Sequence, residues 1–170
     1  MNSVTVFCGS SSGIDKAFEL QARELGQKLA LENIELIYGG ANVGLMGAVA
    51  NGALEKSGSV IGVLPRFLAS KEIAHNELTQ LILVNSMHER KTKMNELCEG
   101  VIALPGGFGT LEELFEMLTW GQLGLHEKPI GLLNANGFYD ELIKFLDSIV
   151  EKGLLKPVNR KMILVSENID

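Results

Sequence analysis

Cysteine is scarce in this chain: Cys8 and Cys98 are the only two among 170 residues. One ends an apolar strand and the other falls on an apolar helix stripe. No disulfide framework is expected, and a reduced, cytoplasmic setting fits. The three histidines, His75, His88 and His126, are far apart and share no ligand spacing with the cysteines, so no metal is expected. Positive charge is also short. Fifteen Lys and Arg face twenty-one Asp and Glu, a net charge of −6, which is the wrong sign for nucleic acid as the main partner. No apolar run approaches membrane-spanning length, so no membrane partner is expected. Met1-Asn2-Ser3 leads straight into an apolar strand rather than a leader. Three nucleotide and hydrolase motifs are missing as well. The first strand is not followed by G-x-G-x-x-G, the loop Gly39–Gly44 lacks a Lys-Ser/Thr ending, and there is no G-x-S-x-G elbow. A nicotinamide dehydrogenase, a P-loop ATPase and a serine hydrolase therefore find no support.

What is present is a well-stocked core. Hydrophobic residues make up 46% of the chain, which excludes disorder and suffices for one domain over residues 1–170. Short apolar runs at Val4–Cys8, Leu36–Tyr38, Val60–Leu64, Leu81–Val84, Val101–Leu104, Ile130–Leu133 and Met162–Val165 read as strands. Helical spacing fills most gaps between them, over about 15–32, 44–57, 87–99 and 138–152, with a further helix that follows the glycine-rich loop and runs to about 123. Apolar strands alternating with helices predict an α/β fold: a Rossmann-like, doubly wound parallel sheet of about seven strands with helices on both faces. Glycine-rich turns at 9–13, 39–44 and 106–109 each follow a strand, so they are expected to gather on one rim. The polar stretch Leu68–Thr79 reads as a rim loop or lid.

The chemistry concentrates in Pro105-Gly106-Gly107-Phe108-Gly109-Thr110-Leu111-Glu112-Glu113. Glycines let the backbone approach a ligand closely, and a helix N-terminus favours an anion. Thr110 is expected to cap that helix, with Glu113 three residues on as the second half of a capping box. Glu113 thus has two readings, a helix-start device or a site carboxylate. Glu112 points about 100° away from the Leu111/Leu114/Leu118 stripe, and Thr119 points the same way. Phe115, Met117 and Trp120 offer apolar surface, for the core or for a base to stack on. Upstream, Met87, Arg90, Met94, Leu97 and Cys98 share one helical stripe, with Lys91 at its edge. Arg90 therefore occupies an interior position, and a buried arginine needs an anionic partner. That partner is either a structural carboxylate or a pocket oxyanion, which the planar guanidinium grips bidentately. Tyr38-Gly39-Gly40 is either a tight turn or part of a ligand rim.

These motifs resemble those of the LOG ("lonely guy") family. Residues 105–113 match its PGGxGTxxE motif, and Met87-His88-Glu89-Arg90-Lys91 its second signature. Phe7-Cys8-Gly9-Ser10-Ser11, Tyr38-Gly39-Gly40 and Val43-Gly44-Leu45-Met46-Gly47 match its first two loops, in the same order along nearly the whole chain. The resemblance implies a cytokinin riboside 5′-monophosphate phosphoribohydrolase, which cleaves an N6-modified adenosine monophosphate to free base and ribose 5-phosphate. It implies a homodimer that needs no cofactor and takes a small nucleoside monophosphate as its partner. Arg90, Glu112 and Glu113 would be catalytic. Gly106, Gly107, Phe108, Gly109, Thr110, Leu111 and Glu112 would cradle phosphate and ribose, with Gly9, Ser10, Gly39 and Gly40 as a secondary rim. Glu72, Arg90, Lys91 and Thr119 would contact substrate, although Glu72 by its surroundings alone reads as a solvated loop charge. An AMP nucleosidase with little N6 preference, or a non-catalytic nucleotide or cofactor binder, are the alternatives. Many members carry a lysine decarboxylase label, yet no pyridoxal-binding constellation is visible. Ala41 replaces a glycine common in the family, and Phe108 a frequent tyrosine.

Overall fold

Residues 1–69 and 74–169 are described by a computed structural model; Glu72 lies outside them. Seven strands alternate with helices: β1 (Ser3–Phe7), α1 (Lys16–Leu31), β2 (Glu35–Tyr38), α2 (Gly44–Glu55), β3 (Val60–Pro65), α3 (Arg66–Ala69), β4 (Gln80–Val84) and α4 (Met87–Leu97). The second half runs β5 (Gly100–Ala103), α5 (Phe108–Gln122), β6 (Ile130–Leu133), a 3₁₀ turn (Ala135–Gly137), α6 (Asp140–Glu151), α7 (Pro157–Arg160) and β7 (Ile163–Ser166). All strand pairs are parallel, in the order β4-β3-β2-β1-β5-β6-β7. The order reverses between β1 and β5, so their C-terminal loops border the crevice where ligands bind in such sheets.

Alternation along each strand divides the core into two layers. Val4, Val6, Leu36 and Tyr38 pack with Leu25, Leu29, Val49 and Ala53 of α1 and α2. Phe7, Ile37, Ile61 and Val63 pack on the other face with Met94, Leu114, Met117 and Leu146 of α4, α5 and α6. Thr5 also faces this second layer and satisfies its buried hydroxyl by donating to the Met94 carbonyl at 3.1 Å. Cover on both faces holds for the inner strands and weakens at the edges: Leu81 and Leu83 of β4 and Leu164 and Val165 of β7 are exposed. Two short helices, α3 and α7, have no counterpart in the sequence pattern, because four residues are too few for a helical period to register. No helix among the described residues is long and apolar enough to cross a membrane.

The first two helices cross with almost no side chain between them. A Cβ on Gly52 of α2 would come within 2.1 Å of the Arg23 carbonyl oxygen of α1, and one on Gly26 within 2.0 Å of the Val49 carbonyl oxygen. In a free helix Gly→Ala is favourable by about 1 kcal/mol; here overpacking against backbone reverses the sign. Gly52→Ala is expected to lower the thermal midpoint by roughly 2–12 °C, from about 1–3 kcal/mol at about 2–4 °C each. A calorimetric or circular-dichroism melt of the variant checks this.

Candidate active site

Three chain segments meet at the crevice and are laced by backbone bonds. Gly9 N–H donates to the Pro105 carbonyl, and Leu45 N–H donates to the Gly9 carbonyl, each at 3.0 Å. A cavity of about 320 Å³ opens beside them, lined by Cys8–Ser10, Met46, Leu68, Met87, Arg90, Gly107–Thr110, Glu112 and Glu113. Its floor is charged and its entrance apolar, with Phe108 almost fully exposed at the mouth.

Helix α5 starts earlier than its sequence suggests. Gly107 is the N-cap, Phe108 opens the helix, and no side chain caps it. Thr110 therefore lies inside the first turn, and the expected Thr110–Glu113 capping box does not form. Leu111 N–H makes the first intrahelical bond, to the Gly107 carbonyl at 3.1 Å. The N–H groups of Phe108, Gly109 and Thr110 lie before it, where a helix leaves donors free and carries partial positive charge. A Cβ built on Gly107 or Gly109 meets nothing within 4 Å. No contact among the described residues requires glycine there; a ligand lying against the backbone would. Gly106 is different, because the Thr110 side chain folds back over it.

Arg90 is buried, as its place on the α4 stripe predicts. Its Nε donates to the Val63 carbonyl and its Nη2 to the Gly39 carbonyl, both at 3.1 Å. Gly39 leaves no room for a side chain: a Cβ would sit 2.0 Å from Nη2. Gly39 and Gly40 are thus placed beneath the cavity as a seat for the arginine, and they do not line it. The remaining edge of the guanidinium faces Glu113, with Nη1 3.9 Å from Oε1. That is an ion pair too long for a hydrogen bond, so both groups keep capacity for a third party. Glu113 is buried, and burial pushes its carboxyl up to about 7, against the pull of the Arg90 charge and with a further push from Glu112. Cys8 also lines this floor, its thiol pushed up by burial beside Glu113.

The other charges are arranged differently. Lys91 is buried and pairs with Glu112 and with Glu116, at 3.0 Å for the second. Burial pulls the Lys91 pKa down, but its bonds to Glu112 and Glu116 outweigh that and raise it. Glu112 is half exposed at the cavity wall. Thr119 is exposed, donates to the Phe115 carbonyl at 2.7 Å, and does not line the cavity. Lys91 and Leu111 stand behind the wall rather than on it. Phe115, Met117 and Trp120 do not reach the cavity either, and Met117 belongs to the core. Four wall residues were not among the expected site residues: Cys8, assigned to the core, Met46, Leu68, which opens the expected rim loop, and Met87. Met87 gave a signal that was read the wrong way. It shares the apolar stripe with Arg90, yet it is exposed, because the stripe runs out of the core at the first turn of α4.

Residues 46–170 match the family model described as "Possible lysine decarboxylase". The cytokinin riboside 5′-monophosphate phosphoribohydrolase LOG2 of Arabidopsis thaliana is 44% identical over 165 residues, covering 97% of this chain and 78% of its own. The cytokinin riboside 5′-monophosphate phosphoribohydrolase of Rhodococcoides fascians is 46% identical over 169 residues, covering 99% of this chain and 85% of its own. Among solved structures, the molybdenum cofactor carrier protein of Chlamydomonas reinhardtii superposes with a TM-score of 0.72 at 24% identity, covering 98% of this chain and 90% of that one. The last likeness shows the shared fold. The family match and the identity to its relatives establish that this chain belongs to the LOG family, the one also described as possible lysine decarboxylases.

Proposed function

We propose that this chain hydrolyses the N-glycosidic bond of cytokinin riboside 5′-monophosphates, releasing the N6-modified purine and ribose 5-phosphate. The observation that carries the reading is Glu113, a buried carboxyl raised to about 7 that faces Arg90 within reach of an uncapped helix start. The 5′-phosphate sits on the free N–H groups of residues 108–110. This anchor supplies binding energy that places the glycosidic carbon by the carboxylate. As the C1′–N9 bond breaks, positive charge grows on the ribose. The Glu113 carboxylate stabilises that charge and takes a proton from the attacking water, whose oxygen bonds to C1′. The departing purine ends with the proton that water gave up. Arg90 holds Glu113 in place and faces the charge developing on the leaving base. Glu112, on the wall, meets the ribose hydroxyls.

The names of the relatives support this substrate class. The decarboxylase label gains nothing from the cavity, which has no lysine on its wall among the described residues to form a Schiff base. A homodimer belongs to the same reading: Phe108, Met87 and Phe115 expose apolar surface around the mouth and along α5. Thr119, off the cavity wall, and Glu72, which lies outside the described residues, remain substrate contacts in this proposal.

Chromatography of reactions with AMP and isopentenyl-AMP is expected to show base released faster from the second. Equal rates would make the chain a general AMP nucleosidase, and no base from either would end the enzyme reading. Glu113→Gln is expected to lose turnover by about 10²–10⁴-fold while still binding AMP in calorimetry. Because the reaction needs Glu113 ionised, log kcat/KM is expected to rise with pH and level off above about 7, the value to which burial lifts this carboxyl. A falling limb through the same pH would reassign it as an acid. Gly109→Ala is expected to keep or raise the melting temperature, since the added methyl meets nothing and Ala favours a helix by up to about 1 kcal/mol. The same variant is expected to weaken ribose 5-phosphate binding by about tenfold or more, a loss of one charge-assisted contact.

A further inference from the structure

One buried ionisable side chain has no part in the cavity. His75 is 3% exposed and belongs to the segment between α3 and β4. Its backbone N–H donates to the Gly40 carbonyl at 3.1 Å, and the preceding Ala74 forms an antiparallel bridge with Ala41. Both ring nitrogens are engaged. Glu77 N–H points at Nδ1 at 3.2 Å, so Nδ1 carries no proton. Nε2 then carries it and donates to Asn51 Oδ1 of α2 at 2.9 Å. The Asn51 amide is turned to suit, with its Nδ2 directed at Asn42 Oδ1 at 3.4 Å. Residues 39–42 are therefore gripped from two sides. His75 and Asn51 hold Gly40, Ala41 and Asn42. One peptide earlier, the Gly39 carbonyl accepts from Arg90 Nη2.

We infer that His75 is a positioning residue for Arg90: the neutral ring clamps the Gly39–Asn42 turn, and the turn fixes the carbonyl that orients the guanidinium. The kinetic part of this inference rests on the function proposed above; the structural part does not. A protonated ring would set Nδ1–H against Glu77 N–H, two donors facing each other, and the clamp would open. Burial pulls the His75 pKa down and keeps the ring neutral, while the Glu77 charge opposes. The other charges near this side of α1 and α2 are Arg23 and Glu55, which pair with each other across the groove they share with Asn51 and Glu77.

The test uses the full chain with ¹⁵N-labelled arginine and histidine. In the wild type, the His75 nitrogen shifts are expected to report the Nε2–H tautomer, and the Arg90 Nη2 protons, accepted by the Gly39 carbonyl, to exchange slowly. In His75→Leu, the Arg90 Nη2 signal is expected to shift and its protons to exchange about tenfold faster or more, because local opening is read directly by exchange. On isopentenyl-AMP, kcat is expected to fall by about tenfold or more with KM within roughly threefold, since the α5 phosphate anchor is untouched. His75→Gln, whose amide still reaches Asn51, is expected to recover most of the kcat. Should His75→Leu not fold, Asn51→Ala keeps the ring but removes its Nε2 partner together with the contact to Asn42, and is expected to move the same Arg90 signal. An unchanged Arg90 signal in a folded variant overturns the inference. So does a loss of kcat that His75→Gln fails to restore. If no nucleotide is cleaved by the wild type, the nuclear magnetic resonance arm still decides the clamp, and only the proposed function falls.

Discussion

The seating of one buried guanidinium governs the cavity floor. Arg90 enters from α4 beneath the C-terminal ends of β2 and β3 and donates to one carbonyl from each side, Gly39 and Val63. A charge so placed is costly unless its donors are satisfied, and an unpartnered buried ion costs several kcal/mol. Two strand-end carbonyls meet part of that demand without using a carboxylate. Glu113 is then left opposite Arg90 at 3.9 Å, close enough to feel the charge and too far to be neutralised by a direct bond. The identity of Gly39 follows from this arrangement, because any side chain there would displace Nη2.

This economy has a stability consequence. Burial raises the Glu113 pKa from the ordinary 4.5 to about 7. Folding therefore favours the protonated form. The contribution of Glu113 to stability is present below the unfolded value and is lost as pH rises through about 7. At neutral pH the fold carries a carboxylate that it would rather protonate. The uncapped start of α5 is a second liability of the same kind: a capping side chain would steady the helix by about 1 kcal/mol, and its absence leaves donors open toward the cavity. Two local sacrifices of stability on one cavity wall are what a site built for an anionic substrate requires.

Much of the fold was legible because long periodic segments carry it. The seven strands, their parallel sense and five of the helices follow from apolar runs separated by helical spacing, and Asp15 caps α1 where the pattern starts it. Arg90 was legible for the same reason, as a charge on an otherwise apolar stripe. The start of α5 was not. Thr110 is a good capping residue, but Gly107 and Gly109 admit backbone geometries that sequence does not distinguish, and the chain enters its helix three residues earlier. The walls Met46 and Leu68 were hidden because they come from separate segments, after β2 and after β3, whose meeting depends on those strands lying side by side in the sheet. His75 was passed over for a related reason. Its partner Glu77 is two residues away, but Asn51 and Gly40 lie on distant stretches of chain that only the fold brings to the ring and its backbone.

The two adjacent glutamates show how the fold separates like residues. They differ by 100° around α5, about one helical step, and that step carries them into opposite electrostatic settings. Glu112 turns outward, half exposed, and its charge is matched by Lys91, which is itself held by Glu116. Glu113 turns inward beside Cys8 and Arg90, where burial lifts it to about 7 and no cation among the described residues bonds it directly. A carboxylate already matched by a lysine gains little by approaching a developing positive charge. One that is desolvated and unbonded gains most when such a charge appears beside it. Since α5 begins at Phe108, Glu113 is also released from any capping duty. The charge-stabilising role therefore falls to Glu113 in the proposed reaction, and the Lys91–Glu112 pair fixes the wall against which the ribose turns.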